Sequence, residues 1–214
     1  MDNFKELVKE NIDIELNDKQ IEQFATFANF LLETNKTINL TAIRDLEGVY
    51  IKHFLDSLTL LKATPKDTKS IVDIGSGAGF PGIPIAIVRP DIQITMVESI
   101  GKKVSFIEKS IELLNLTNAN VVNERAEKLS HLSKFQEKFD VATARAVTSL
   151  PELILLCMPM VKKEGIMIAM KNENTEELEM AERVLIGENL KIKKIIPIKI
   201  LDLNSRQLII ITRI

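Results

Sequence analysis

A chain of 214 residues, 45% hydrophobic and 27% charged, is long enough to bury a substantial core and predicts one main domain with an appendage. Its formal net charge of −2 leaves no overall basic field, so a polyanionic partner must be met by a local patch. No run approaches the ~18 apolar residues of a membrane span, the start MDNFKELVKENIDIELND has no signal-peptide core, and one cysteine, Cys157, with two scattered histidines forms neither an internal disulfide nor a metal-ligand pattern. The expectation is a cytoplasmic protein without a membrane segment or a structural metal.

Residues 1–68 read as helical. In NDKQIEQFATFANFLLETN, Ile21, Phe24, Phe27, Ala28 and Leu31 recur on one face, with Asn17 or Asp18 as the N-cap. Phe24 and Phe27 are packing residues rather than a base-stacking platform, because aliphatic side chains share their face. NKTINLTAIRD is too polar and β-branched for a helix and is read as a loop. DLEGVYIKHFLDSLTLLK is a second helix, apolar at Val49, Ile51, Phe54, Leu55, Leu58 and Leu61, and the i,i+3 spacing of His53 and Asp56 suggests a contact on its face. KATPKDTKS is rich in turn formers and divides a helical cap, 1–68, from a domain covering 69–214.

Beyond residue 69 short apolar runs alternate with amphipathic ones. SIVDIG, QITMVES, NVVNERA, FDVATARA and GIMIAMK are strand-like, and segments such as GKKVSFIEKSIELLNL provide crossover helices. This is βαβ order: an α/β, Rossmann-like parallel sheet with right-handed crossovers and ligands outside the carboxyl ends of the strands. LKIKKIIPIKI and RQLIIITRI are separated by LDLNS, with no room for a helix, and predict a terminal antiparallel hairpin.

The stretch VDIGSGAGFPGIPIAIV, 72–88, follows the first strand. A dinucleotide loop reads G-x-G-x-x-G with its last glycine at position 80. Here position 80 is Phe, and the pattern is Asp73, Gly75, Gly77, Gly79, similar to the loop of class I S-adenosylmethionine-dependent methyltransferases. A pyrophosphate seeks a helix N-terminus, whereas a sulfonium is a cation beside which carboxylates are favourable. Phe80 is therefore expected to bar a pyrophosphate. Glu98, closing the second strand about 20 residues on, is placed to accept hydrogen bonds from ribose hydroxyls, and Ala126 and Glu127 after the third strand to meet an adenine edge.

After the fourth strand the chain has ARAV, 144–147, with neither the Asn/Asp-Pro-Pro-aromatic run expected of an exocyclic-amine methylase nor a Pro-Cys nucleophile. Cys157 lies in the apolar run ELILLCMPM and is read as a small buried residue.

NLTAI, HFLDSL, DIGSGAGFPGIPIAI, RPDIQITMVES, GKKVSF, NERAE, ARA and MK, in this order and spacing, resemble the glucose-inhibited division protein B family, small-subunit ribosomal RNA guanine-N7 methyltransferases, over residues 35–172. The resemblance implies methyl transfer from S-adenosyl-L-methionine to N7 of a guanosine in the 530 loop of 16S ribosomal RNA. It implies cofactor contacts at Gly75, Phe80, Glu98, Ser99, Ile100, Ala126, Glu127 and Arg145, besides the loop residues Asp73, Gly77 and Gly79. MKNEN departs from the family, which commonly has Gly after the Lys.

Guanine N7 has an in-plane lone pair and no proton to lose, so no general base is named. Positioning in a dry pocket supplies the rate, on the order of 7–11 kcal/mol at best, with Arg145 in a supporting role, since a donor aimed at N7 would block attack. The RNA is expected to meet Asn39, Thr41, Arg44 and His53 from the helical part, Lys102 and Lys103 beside the loop, Lys171, and Arg206 near the hairpin. The charge is lopsided in that sense: residues 1–68 hold eight Lys/Arg against twelve Asp/Glu, residues 188–214 six against two. The expected species is a monomer acting on 16S rRNA or the small subunit. Competing readings are a methylase of another RNA or a small molecule, a nicotinamide dehydrogenase, and a non-catalytic RNA-binding assembly factor.

Overall fold

The computed structural model describes residues 2–200 and 205–214. Most of the LDLNS turn lies outside the described residues.

A seven-stranded sheet, in the order β3-β2-β1-β4-β5-β7-β6, organises the molecule. The strands are β1 (Ser70–Ile74), β2 (Gln93–Glu98), β3 (Ala119–Asn123), β4 (Phe139–Arg145), β5 (Val161–Asn172), β6 (Leu190–Ile198) and β7 (Arg206–Arg213). The first five run parallel, as the βαβ pattern requires. β7 is antiparallel to both β5 and β6, so the expected hairpin joins the sheet through its second strand.

Alternation along the strands builds two cores. Ile71, Ile94, Val141, Ile168 and Ile210 face one side and share a cluster with Phe4, Phe24, Phe27, Leu31, Phe54, Leu58 and Ile83. Val72, Val97, Ala142, Met167, Ala169 and Ile209 face the other, against Leu150, Leu153, Ile154, Cys157 and Ala181. The N-terminal helices thus bury their apolar stripe directly on the sheet. The Cys157 thiol is fully buried, and burial pushes its pKa up.

Helix α1 (Asp2–Ile12) leads into α2 (Asp18–Asn35), which starts at Asn17 with a reciprocal cap: Gln20 N–H donates to Asn17 Oδ1 at 2.9 Å and Asn17 N–H to Gln20 Oε1 at 3.0 Å. Phe24 and Phe27 have no exposed surface and pack in an aromatic cluster with Phe54 and Phe80. After the loop at 36–45 the chain is helical from Leu46 to Lys62, but the helix is not regular. Val49–Leu55 forms a widened π-helical stretch between α-helical Leu46–Gly48 and Asp56–Leu58, and Thr59–Lys62 tightens into a 3-10 turn. Sequence periodicity predicted a plain helix here; the local widening puts Phe54 and Leu55 in the core while His53 lies over Phe80.

Candidate active site

The glycine loop and its acid close on each other. Gly77 N–H donates to Glu98 Oε2 at 2.9 Å and Ile100 N–H to Glu98 Oε1 at 2.8 Å, fixing the carboxylate between the loops after β1 and β2. Gly75 and Gly77 have φ of +66° and +60°, where a side chain is strained. A Cβ on Gly75 would lie 2.6 Å from Val147 Cγ2, whereas one on Gly77 would find nothing nearer than 4.0 Å and would project into open space above the loop.

Two cavities meet at Gly75. One, of about 200 Å³, is lined by Ile74, Gly75, Val97, Glu98, Ser99, the segment 124–127, Val147 and Leu156. Among the described residues it carries Glu98, Glu124 and Glu127 against Arg125 alone. The other, of about 360 Å³, is lined by Leu40, Thr41, Ile43, Lys52, His53, residues 75–78, Phe80, Lys103, Arg145, Ala146 and Arg206. Among the described residues no carboxylate lines it, and four cations do. An acidic pocket sized for an apolar-walled nucleoside therefore opens beside a basic cleft.

The structure brings together Gly75, Gly77, Phe80, Glu98, Ser99, Ala126, Glu127, Arg145, Thr41, His53, Lys103 and Arg206, all in these linings. Asn39, Arg44, Ile100 and Lys102 are exposed and line neither cavity. Gly79 lies beyond both, under Ile83.

Three expectations need correcting. Asp73, taken as a cofactor contact, is fully buried beneath the loop: its Oδ2 accepts from Gly82 N–H at 3.0 Å, its Oδ1 has no partner among the described residues, and burial raises its pKa to about 7. Lys171, expected on RNA, is instead half-buried, donating to Thr148 O at 2.7 Å and pairing with Glu177 at 2.6 Å, so it braces the segment after β4. Phe80 does not stand across the loop as a barrier to pyrophosphate. Its ring turns inward, only 4% exposed, and stacks on the His53 ring at 4.4 Å between centroids.

What Phe80 supports is a polar cluster that sequence reasoning only partly saw. The Arg145 guanidinium lies 5.1 Å from the Phe80 centroid and donates through Nη1 to Asp56 Oδ2 (2.9 Å) and Lys52 O (3.1 Å). Its Nη2 meets His53 Nδ1 at 3.0 Å, and Arg206 Nη2 reaches the same Asp56 Oδ2 at 3.2 Å. The i,i+3 pair His53 and Asp56 is therefore linked through a third residue from β4. Lys52 and Leu156 also line the cavities and carried no signal, since each is an ordinary residue in its stretch of sequence, while Ala146 and Val147 belong to the ARAV run, informative in the sequence only for the motifs it lacks.

Burial, with the Arg145 charge adding to it, drives the His53 pKa down to about 3. A folded value below the unfolded ~6.5 means that the unfolded chain takes up the proton first, so this residue costs stability as pH falls from about 6.5 toward 3, about 2 kcal/mol by pH 5. Asp73, with its raised pKa, works in the opposite direction over that range. His53→Gln is accordingly expected to gain about 2 kcal/mol relative to the unaltered protein between pH 7 and pH 5, the Asp73 contribution cancelling in the difference. Parallel urea titrations at the two pH values measure it, and a pH-independent difference would contradict the neutral, buried histidine.

Strand order, the final antiparallel strand, and a glycine loop after β1 facing an acid after β2 define the class I methyltransferase fold, whose members use S-adenosylmethionine. Solved structures similar in fold include a ribosomal protein L11 methylase from Lactobacillus delbrueckii subsp. bulgaricus (TM-score 0.55, 16% identity, 79% of this chain and 80% of that one). Another is M. jannaschii TYW2 in complex with AdoMet (TM-score 0.55, 13% identity, 94% and 79%). The family model described as rRNA small subunit methyltransferase G matches residues 20–208, and the chain belongs to that family. Relatives named ribosomal RNA small subunit methyltransferase G include that of Clostridium botulinum (strain Loch Maree / Type A3), 40% identical over 95% of this chain and 86% of that protein. That of Staphylococcus carnosus (strain TM300) is 46% identical over 79% and 72%.

Proposed function

We propose that this chain transfers a methyl group from S-adenosyl-L-methionine to N7 of a guanosine in the 530 loop of 16S ribosomal RNA, working as a monomer in the cytoplasm, with residues 1–68 as the cap over the catalytic domain 69–214. The family membership supports the ribosomal substrate; the resemblance in the motifs supports the nucleotide. The observation that carries the reading is the meeting, at Gly75, of an acidic pocket and a basic cleft.

The residues present fit the cofactor. The open space that a Cβ on Gly77 would fill lies in the basic cleft, two residues from Gly75 where the pocket begins, and Glu98, held by two backbone N–H groups, retains lone pairs for ribose hydroxyls. Ile74, Val97, Val147 and Leu156 offer apolar walls to an adenine, with Ala126 and Glu127 at its edge. Bound there, the cofactor supplies an electrophilic methyl on a sulfonium centre.

The chain's own part is alignment. Guanine N7 needs no deprotonation, so the residues of the cleft have to hold the base with N7 uncovered and exclude water, which is where effective concentration is gained. Lys52, Lys103 and Arg206 offer positive charge to the RNA backbone, with the exposed Arg44 and Lys102 outside them. Arg145 is committed to Asp56, Lys52 and His53, which leaves it a supporting role.

Labelled methyl transfer to small subunits from cells lacking the protein, followed by mass mapping, tests the reading. One 7-methylguanosine within the 530 loop is expected. Label on another RNA, on a protein or at an exocyclic amine would overturn it.

A further inference from the structure

The cluster under the basic cleft has a fixed hydrogen-bond polarity. A guanidinium only donates, so His53 Nδ1, 3.0 Å from Arg145 Nη2, is an acceptor and the ring proton sits on Nε2. That N–H faces Thr41 Oγ1 at 2.7 Å, and Ile43 N–H donates to the same oxygen at 3.1 Å. Both lone pairs of the Thr41 hydroxyl are thereby used. Its own proton meets no acceptor among the described residues, and it lines the cleft that ends at the glycine loop.

We infer that Thr41 reads O6 of the target guanine, and that Arg145 and His53 are positioning residues that act through it by making its hydroxyl a donor only. The inference rests on the guanine-N7 reading and deepens it. On the Hoogsteen edge guanine presents two adjacent acceptors, N7 and O6. A guanidinium placed there would engage both and cover the lone pair that must attack. A single hydroxyl donor engages O6 and leaves N7 bare. Arg145, which has the geometry to do the wrong thing, is turned away by Asp56, Lys52 and His53, its side chain 10% exposed.

The same polarity rejects adenine. Adenine offers an amino donor where guanine has O6. A free hydroxyl would rotate and accept from it, but the lone pairs of Thr41 are taken by His53 and Ile43, so donor would face donor. Stacking of His53 on Phe80, with Phe80 packed at a tilt against Phe27 and Phe54, keeps the imidazole from swinging out of this chain of bonds.

The test uses small subunits reconstituted with ligated RNA that carries guanine, inosine or 2-aminopurine at the modified position. Inosine keeps O6 and N7 without the 2-amino group; 2-aminopurine keeps N7 and the 2-amino group without O6. The unaltered protein is expected to use guanine and inosine alike and 2-aminopurine about ten- to a hundredfold less well in kcat/KM. Thr41→Val should lose that factor on guanine and nothing further on 2-aminopurine, while Thr41→Ser restores the preference. His53→Leu frees a lone pair of the Thr41 hydroxyl, which can still donate to O6, so it should keep the preference for guanine over 2-aminopurine while losing the rejection of adenine placed at the same position. Calorimetry with S-adenosylmethionine should give Thr41→Val the affinity of the unaltered protein, showing that its fold and cofactor pocket survive. An equal loss on guanine and 2-aminopurine, or an undiminished preference in Thr41→Val, would overturn the inference while leaving the function in place. If the unaltered protein puts no methyl on guanine N7 in any of these subunits, the proposed function fails and this inference with it.

Discussion

Asp56→Ala is expected to destabilise the protein by about 3–5 kcal/mol, the range for removing one partner of a buried ion pair. Asp56 is 1% exposed, and its Oδ2 receives Arg145 at 2.9 Å and Arg206 at 3.2 Å. The three residues come from the Leu46–Lys62 helix, the end of β4 and the start of β7, so one carboxylate ties the N-terminal helices to two strands. Without it two guanidiniums face each other with their countercharge gone, Arg145 in a place with little access to water. For a chain of this length the melting temperature should drop by about 10 °C or more. A shift of only a degree or two in a thermal melt would show the cluster to be solvent-screened. By the same geometry Arg145→Ala should lose stability as well as turnover, because the substitution strips Asp56 of its better partner.

Glu98→Ala should cut the affinity for S-adenosylmethionine about a hundredfold or more, because hydrogen bonds to a charged acceptor contribute about 1.5–3 kcal/mol each. The loss has two parts. The carboxylate no longer meets the ribose hydroxyls, and Gly77 and Ile100 lose the acceptor that holds their loops against each other. Glu98→Gln separates them, since its carbonyl oxygen can satisfy only one of the two N–H groups. Calorimetry should place Gln between Ala and the unaltered protein. Equal affinity in all three would remove Glu98 from the cofactor site.

Much of this architecture could be read from the chain alone. Alternating short apolar runs and amphipathic segments located all seven strands, and the lack of room for a helix after residue 200 foretold an antiparallel ending. Asn17, one of the two N-caps offered by the sequence, starts α2, while the part of Gln20 in that cap emerged only from the structure. Local pattern carries such features because hydrophobic period and capping act over a few residues. It could not reveal that Phe80 turns inward, since whether a loop aromatic faces a ligand or a core depends on what packs over it, here His53 and helices distant in sequence. Lys171 illustrates the same limit. A lysine at a strand end reads as a free cation until Glu177, brought close by the fold, claims it. The Asp56, Arg145 and Arg206 cluster joins positions about 90 and 150 residues apart, and no spacing rule encodes it.

The widened turn at Val49–Leu55 has a bearing on how this cleft tolerates change. A π-helical turn accommodates one residue more than its α-helical counterpart, so it sets the angular phase between the two helical segments that flank it. Deleting a single residue there would leave the two flanks nearly in phase, but relaxation to regular pitch with every residue kept would swing the N-terminal flank by about 100° relative to Asp56. The loop bearing Thr41 would then be aimed elsewhere while every strand stayed in register. Point substitutions test this cleft one contact at a time; a change of pitch in that one turn would misalign it as a whole.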